Sequence, residues 1–158
     1  GRPVYLKVRP PISKEGAERR RLVRFLNTSA AVPCLYNVDA LAAQPLADKV
    51  LVCEGESDTW AALSYGFAAV GSPGARSFKP DWIEAFRALV AADGRSRVIL
   101  ALDADKAGKE GARIIADLFR KAGLPIPLSL AIPKGKDLTE YLRHCSPIEE
   151  GAKSAETT

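Results

Sequence analysis

The chain has 158 residues, of which 47% are apolar and 27% are charged, and its net charge is +4. This apolar content is enough for one core, so the composition excludes a disordered chain and predicts a single domain with a modest appendage. No apolar run approaches the roughly 18 residues of a membrane-spanning helix, so we expect a cytoplasmic protein without a membrane partner. Three scattered cysteines and one histidine argue against a disulfide framework or a structural zinc module.

Residues 1–47 are predicted to form a basic amino-terminal subdomain. A strand is predicted at 3–9, a pair of prolines breaks it, and apolar residues return over 21–26. The first 24 residues contain eight basic side chains: Arg2, Lys7, Arg9, Lys14, Arg19, Arg20, Arg21 and Arg24. Such a concentration of charge is typical of an arm that contacts nucleic-acid phosphates, although a solvated basic face explains it equally well. The chain lacks methionine, so we expect it to be a piece of a longer protein.

From residue 48 to 145 the pattern alternates between strands and helices. Short apolar strands are predicted at 50–53, 67–70, 98–102 and 126–132, the last at a sheet edge because it contains Pro127. Helices are predicted at 58–65, 80–90, 106–122 and 137–143, the first of them capped by Ser57. This alternation predicts an α/β fold, a four-stranded parallel sheet flanked by helices with right-handed connections. Residues 146–158 are predicted to be a disordered tail.

Acidic residues follow two of the predicted strands at the point where each strand ends. Glu54 comes directly after the first strand, with Asp58 one helical turn further on, and Asp103 and Asp105 follow the third. Because the carboxyl ends of parallel strands meet at one edge of a sheet, we expect these acids to share a cleft. Converging carboxylates repel one another unless a cation lies between them. The sequence therefore predicts a site for hard divalent ions such as Mg²⁺.

Each of these residues also has an ordinary structural interpretation. Glu54 can be a solvated loop acid beside Gly55, and Asp58 can simply favour the dipole at the start of its helix. Lys106 and Lys109 can bind phosphates or only neutralise the neighbouring acids. Gly108 lies inside a helix start, where glycine costs about 1 kcal/mol relative to alanine, and this indicates close packing or substrate approach.

A further acid, Asp137, follows the fourth predicted strand, with Lys134 and Lys136 beside it. Alone, this segment is an ordinary charged loop. Together with the other two clusters it predicts a second metal or phosphate site.

The three motifs resemble those of the Toprim domain, which is shared by primases, topoisomerases, recombination-repair proteins and certain nucleases. They are Glu54-Gly-Glu-Ser-Asp58, Asp103-Ala-Asp105-Lys-Ala-Gly108 and Lys134-Gly-Lys-Asp137. Each is weak alone, but three in order on alternating strands are specific. Residues 49–142 look most similar to the catalytic core of bacterial DnaG-type and phage or plasmid primases. Two further segments extend the likeness: Arg24-Phe-Leu-Asn27 and Leu35-Tyr-Asn-Val-Asp-Ala-Leu41.

The resemblance implies a metal-dependent nucleotidyltransferase, a DNA primase of a phage, plasmid or other mobile element, with Glu54, Asp103 and Asp105 as its catalytic residues. The cofactor would be Mg²⁺ or Mn²⁺, held by a set of acids: Glu54, Asp58, Asp103, Asp105 and Asp137. Nucleotides or nucleic acid would contact a set of basic residues: Arg24, Lys106, Lys109, Lys134 and Lys136. The implied partners are a single-stranded DNA template and nucleoside triphosphates, and the resemblance allows a replicative helicase in the same or a second chain.

The sequence also departs from those primases. Thr139 stands where DnaG-type proteins tend to carry a further acid, and neither a second basic residue near 33–36 nor the usual zinc-binding module is evident. Two alternatives stay open: phosphodiester cleavage by a Toprim nuclease or topoisomerase-like domain, and a non-catalytic nucleic-acid-binding scaffold. The presence of mutually repelling acids argues against the scaffold.

Overall fold

The computed structural model describes residues 7–8, 26–27, 32–39, 41, 49–90, 94, 96–133 and 136–144. The chain divides into two compact units, Gly1–Cys34 and Leu35–Thr158. In the first unit, strand β1 (Lys7–Val8) pairs with β2 (Leu26–Asn27) in antiparallel fashion. The predicted boundary near residue 47, most of the predicted basic arm and the predicted tail lie outside the described residues. Within the described ranges, no helix is long and apolar enough to span a membrane.

The second unit is built on a four-stranded parallel sheet, which confirms the predicted fold class. Its strands are β3 (Val50–Cys53), β4 (Ala68–Gly71), β5 (Val98–Ala101) and β6 (Leu128–Ser129), in the spatial order β4-β3-β5-β6. Cys53 pairs with both Gly71 and Ala101, so β3, β4 and β5 end at the same level. Strand β6 is shorter than predicted, but it occupies the edge position expected from Pro127.

Four helical segments connect and flank these strands: α1 (Glu56–Ser64), a 3₁₀ helix (Pro80–Leu89), α2 (Lys106–Lys121) and α3 (Leu138–His144). Helix α1 begins two residues earlier than predicted. The predicted cap by Ser57 is wrong, because Gly55 occupies the cap position in extended backbone and no side chain caps the helix. The predicted ends of α1 and α2 are confirmed by Gly66 and Gly123, which adopt the left-handed φ angles of 82° and 68°.

Alternating side chains of the strands separate two apolar layers. Val50 and Val52 of β3 face a cluster that includes Phe86 of the 3₁₀ helix and Phe119 of α2. Leu51 and Cys53 face the other side, where the buried residues of α1 and α3 pack. Because successive strand residues point to opposite faces, a continuous apolar run such as 50–53 fills both layers. The result is a three-layer arrangement whose central strands end at one common edge.

Candidate functional site

Glu54 and Asp103 lie just beyond the ends of the neighbouring strands β3 and β5. Oε2 of Glu54 accepts a hydrogen bond from the backbone N–H of Asp103 at 3.2 Å. Both residues are partly buried. The paired strands bring these residues together although 49 positions separate them along the chain.

The electrostatics of this pair are those of crowded, partly desolvated carboxylates. Burial raises the pKa of Glu54 to about 7, and the negative charge of Asp103 adds to this, while the hydrogen bond from the Asp103 N–H acts in the opposite direction. Burial likewise raises the pKa of Asp103 to about 6, with further contributions from the charges of Asp58, Asp105 and Asp137. The charges of Asp58, Asp105 and Asp137 therefore raise the pKa of Asp103, and the charge of Asp103 in turn raises that of Glu54.

Asp58 lies on the buried side of α1 and is 9% exposed. Its Oδ1 atom accepts hydrogen bonds from the Thr139 hydroxyl at 2.8 Å and from the Thr139 N–H at 3.3 Å. Burial raises the pKa of Asp58, and the Thr139 hydroxyl partly offsets that increase. Asp58 thus links α1 to the first turn of α3, and sequence reasoning did not identify Thr139 as its partner.

Asp105 and Asp137 both cap helices in this structure. The Asp105 side chain accepts a hydrogen bond from the Gly108 N–H at 2.8 Å, at the start of α2. The Oδ1 atom of Asp137 accepts one from the Glu140 N–H at 2.7 Å, at the start of α3. A carboxylate in this position satisfies a free helix N–H and interacts favourably with the helix dipole. Each of these acids therefore has a structural role beside the predicted one.

Gly108 packs closely against the segment that carries Asp103 and Asp105. A Cβ atom on Gly108 would lie 2.0 Å from the carbonyl oxygen of Asp103, so only glycine lets α2 begin this close to the strand end. This agrees with the close packing expected at that position. Gly55 is different, because its φ of −173° suits any residue and no atom lies within 4 Å of an added Cβ.

The predicted basic residues divide into three groups. Lys106 and Lys109 line an open cleft beside Asp105. Lys136 forms an ion pair with Glu140 at 3.2 Å. Arg24 and Lys134 lie outside the described residues.

Two basic residues of the same cleft, Arg76 and Arg113, were missed by sequence reasoning. The helical spacing from Lys106 and Lys109 would have identified Arg113. Arg76 comes from the loop after β4, where no periodic pattern marks it.

The acids fit a divalent cation by charge and by donor type. Carboxylate oxygens are the ligands that Mg²⁺ and Mn²⁺ prefer, and a cation would relieve the repulsion that adds to burial in raising the pKa values of Glu54 and Asp103. As the side chains lie in this structure, no three acidic, histidine or cysteine residues of the described ranges converge closely enough to hold one ion.

Comparisons with known proteins bear on this arrangement. The sequence profile of the Toprim-like family matches residues 51–142, which is more than half of the chain. The Gene 57 protein of Mycobacterium phage D29 is 30% identical over 119 residues, which cover 75% of this chain and 70% of that protein.

Two solved structures share the fold at 22% sequence identity. The RNA polymerase domain of the primase DnaG from Mycobacterium tuberculosis has a TM-score of 0.65, covering 92% of this chain and 48% of that one. The primase fragment of the bacteriophage T7 primase-helicase protein has a TM-score of 0.55, covering 90% and 54% respectively. The chain thus spans about half the length of these two structures. The family match over more than half of the chain establishes that this chain belongs to the Toprim-like family.

Proposed function

We propose that this chain is the Toprim portion of a primase or primase-helicase of a phage, plasmid or other mobile element. Its reaction would be metal-dependent nucleotidyl transfer that makes short RNA primers on a single-stranded DNA template. The observation that carries the proposal is the coupled pair of Glu54 and Asp103 at the carboxyl edge of a Toprim-like sheet. The fold shared with a DnaG RNA polymerase domain and a T7 primase fragment supports it.

In this proposal Mg²⁺ or Mn²⁺ would be held by Asp103 and Asp105, with Glu54 as either a further ligand or a general base. Asp58 and Asp137 would complete the acidic group. When bound, such ions neutralise the triphosphate and the charge that develops on the leaving pyrophosphate. Asp58 and Asp137 contact α3 or its first turn, so they also position that helix beside the site.

Glu54 is the residue best suited to proton transfer in the proposed reaction. In the metal-free site its pKa is raised to about 7, near the ambient pH, where a general base is most effective, so this role applies where Glu54 is not itself a metal ligand. The carboxylate would accept the proton of the attacking 3′-hydroxyl. The bond from that oxygen to the α-phosphorus then forms, and the bond from phosphorus to pyrophosphate breaks.

Basic residues would bind phosphates, either those of the nucleoside triphosphate or those of a nucleic-acid strand. Lys106 and Lys109 lie beside Asp105 at the start of α2, and Lys136 lies beside Asp137. Arg24 and Lys134 are proposed for the same role on the sequence alone. A replicative helicase, in the same or a second chain, is the proposed protein partner.

The test is synthesis of primers from labelled ribonucleoside triphosphates on a single-stranded DNA template with Mg²⁺ or Mn²⁺. Wild-type protein should synthesise labelled primers, and the variants Asp103→Ala and Asp105→Ala should make none. Asp117→Ala is a matched control, since Asp117 is an exposed acid of α2, the helix that Asp105 caps. Among the described residues Asp117 forms an ion pair only with Arg120. Primer synthesis that persists in Asp103→Ala and Asp105→Ala would refute the proposal.

Cleavage is the competing outcome of this experiment. If the protein nicks plasmid DNA with Mn²⁺ and makes no primer, the chain is a Toprim nuclease. If it neither cuts nor synthesises and takes up no Mg²⁺ or Mn²⁺ in calorimetry, it is a nucleic-acid-binding scaffold.

A further inference from the structure

An open cleft of about 760 Å³ lies beside the acidic group, on the side of α2 that faces the loop after β4. Four of its lining side chains are cations: Arg76, Lys106, Lys109 and Arg113. Two are acids, Asp105 and Glu110, so the lining carries an excess of positive charge.

The cations are held in place by two elements in direct contact. Lys106, Lys109 and Arg113 are three and four positions apart, which puts them on one side of α2 over roughly 10 Å of helix. The opposite wall is the loop that carries Arg76. A Cβ on Gly111 would lie 2.2 Å from the carbonyl oxygen of Ala75, so this loop packs against the helix backbone.

The two acids of the cleft already have partners. Glu110 forms an ion pair with Arg76 at 2.5 Å, and Asp105 accepts the hydrogen bond that caps α2. No ion pair joins Lys106, Lys109 or Arg113 to an acid within the described part of the chain. Like charges three or four positions apart destabilise a helix. Lys106, Lys109 and Arg113 are therefore available to bind an anionic ligand.

The composition of the walls indicates which anion this is. Among the described residues, Ala104 is the one uncharged lining residue and no aromatic side chain lines the cleft. These walls offer no surface on which a base could stack, so they would contact a ligand through its phosphates, independently of sequence. The row is roughly 10 Å long, which is long enough to contact more than one phosphate of a strand.

We infer that this cleft binds the phosphodiester backbone of a nucleic-acid strand and directs it toward Asp103 and Glu54. The inference rests on the proposed function, which it deepens by assigning Arg76 and Arg113 to strand binding. The incoming nucleoside triphosphate is held elsewhere, at the acidic group.

The experiment measures binding of a fluorescent oligothymidylate to the whole chain by anisotropy, in EDTA, at several NaCl concentrations. Arg113→Gln should weaken binding several-fold at low salt and reduce the slope of log K against log [NaCl] by about 0.7, the value for one lost phosphate contact on a single strand. Arg113→Lys should keep most of the slope. Lys121→Gln is the matched control, because it removes the same charge from an exposed position in the last turn of α2, outside the cleft.

Unchanged affinity and slope in Arg113→Gln would overturn the inference. So would a variant that binds oligothymidylate normally but binds nucleoside triphosphate more weakly, because the cleft would then be the triphosphate site. A wild-type protein that binds the oligonucleotide through Arg113 but makes no primer would refute the proposed function and leave the cleft assignment standing. A wild-type protein that makes primers but binds the oligonucleotide independently of Arg113 would refute the cleft assignment and leave the proposed function standing.

Discussion

The carboxylate of Glu54 and the backbone N–H of Asp103 are joined by a hydrogen bond that links the ends of β3 and β5. This contact places one carboxylate against the backbone of a second acidic residue. Both side chains are partly withdrawn from water, and the charge of Asp103 disfavours ionisation of Glu54. The protonation of this pair, the stability of the domain and its affinity for cations are therefore linked.

The stability of the metal-free protein should fall as the pH rises from about 4 to about 7. The folded pKa values of Glu54 and Asp103, about 7 and about 6, exceed their ordinary values of 4.5 and 3.8. The folded state therefore binds more protons than the unfolded chain in this window, and the stabilisation present at low pH is lost once both groups ionise. We expect Tm to be roughly 3 °C lower at pH 8 than at pH 5 in EDTA, measured by circular dichroism.

Glu54→Gln is the control for that measurement, because it removes the carboxyl group whose pKa is raised to about 7 while nearly keeping the side-chain volume. The variant should show a flatter dependence of Tm on pH. Adding Mn²⁺ at pH 8 should raise the Tm of wild type more than that of the variant. Identical pH profiles for the two proteins would contradict the linkage.

The hydrogen bond between Thr139 and Asp58 should contribute measurably to stability. Thr139→Val keeps the shape of the side chain but removes the hydroxyl that donates to a carboxylate only 9% exposed. We expect a loss of about 1–2 kcal/mol in the free energy of unfolding, measured in urea. Thr139→Ser retains the donor and should remain within about 0.5 kcal/mol of wild type. A valine variant as stable as wild type would show that the bond is dispensable.

The two roles of Asp105 can be separated by two substitutions. Asparagine caps helices about as well as aspartate, so Asp105→Asn should preserve the cap that Gly108 donates to and leave stability nearly unchanged. Asp105→Ala should lose about 1 kcal/mol. Primer synthesis should be lost in both, because both remove the charge. If Asp105→Asn retains full activity, the residue is a cap and not a ligand.

Gly108→Ala should destabilise the protein and reduce activity together. The added Cβ would meet the carbonyl of Asp103, which is backbone and cannot rotate away. We expect a loss of roughly 2 kcal/mol, net of the better helix propensity of alanine, and a displaced Asp103. Gly55→Ala is the comparison, since no atom lies within 4 Å of its added Cβ, and its stability should change little. Equal stability of both variants with wild type would disprove the close contact.

Much of the sheet was predictable because its strands are short apolar runs. Residues 50–53 and 98–101 have side chains that pack on both faces, so the run itself identifies a buried parallel strand. The acids at the ends of β3 and β5 were identified for the same reason, since strand ends of a parallel sheet share an edge. The family resemblance rested on those acids, and it is confirmed.

The rest depends on contacts that no local pattern contains. Thr139 and Asp58 are 81 residues apart, and only the packing of α3 on α1 brings them together. The 3₁₀ conformation of Pro80–Leu89 could not be distinguished from an α-helix in the sequence, because Ile83, Phe86 and Leu89, three positions apart, form one buried face in either conformation. Capping by Asp105 was not separable from metal binding, since the same carboxylate suits both.

Cys53 directly precedes Glu54, yet its side chain points into the apolar layer shared with α1 and α3. Burial raises the pKa of its thiol to about 12, and the charge of Asp58 adds to this. The sulfur therefore stays protonated at physiological pH and presents no thiolate to thiophilic metals such as Cd²⁺. A sulfur one residue from the acidic group therefore adds no soft ligand to the carboxylate oxygens.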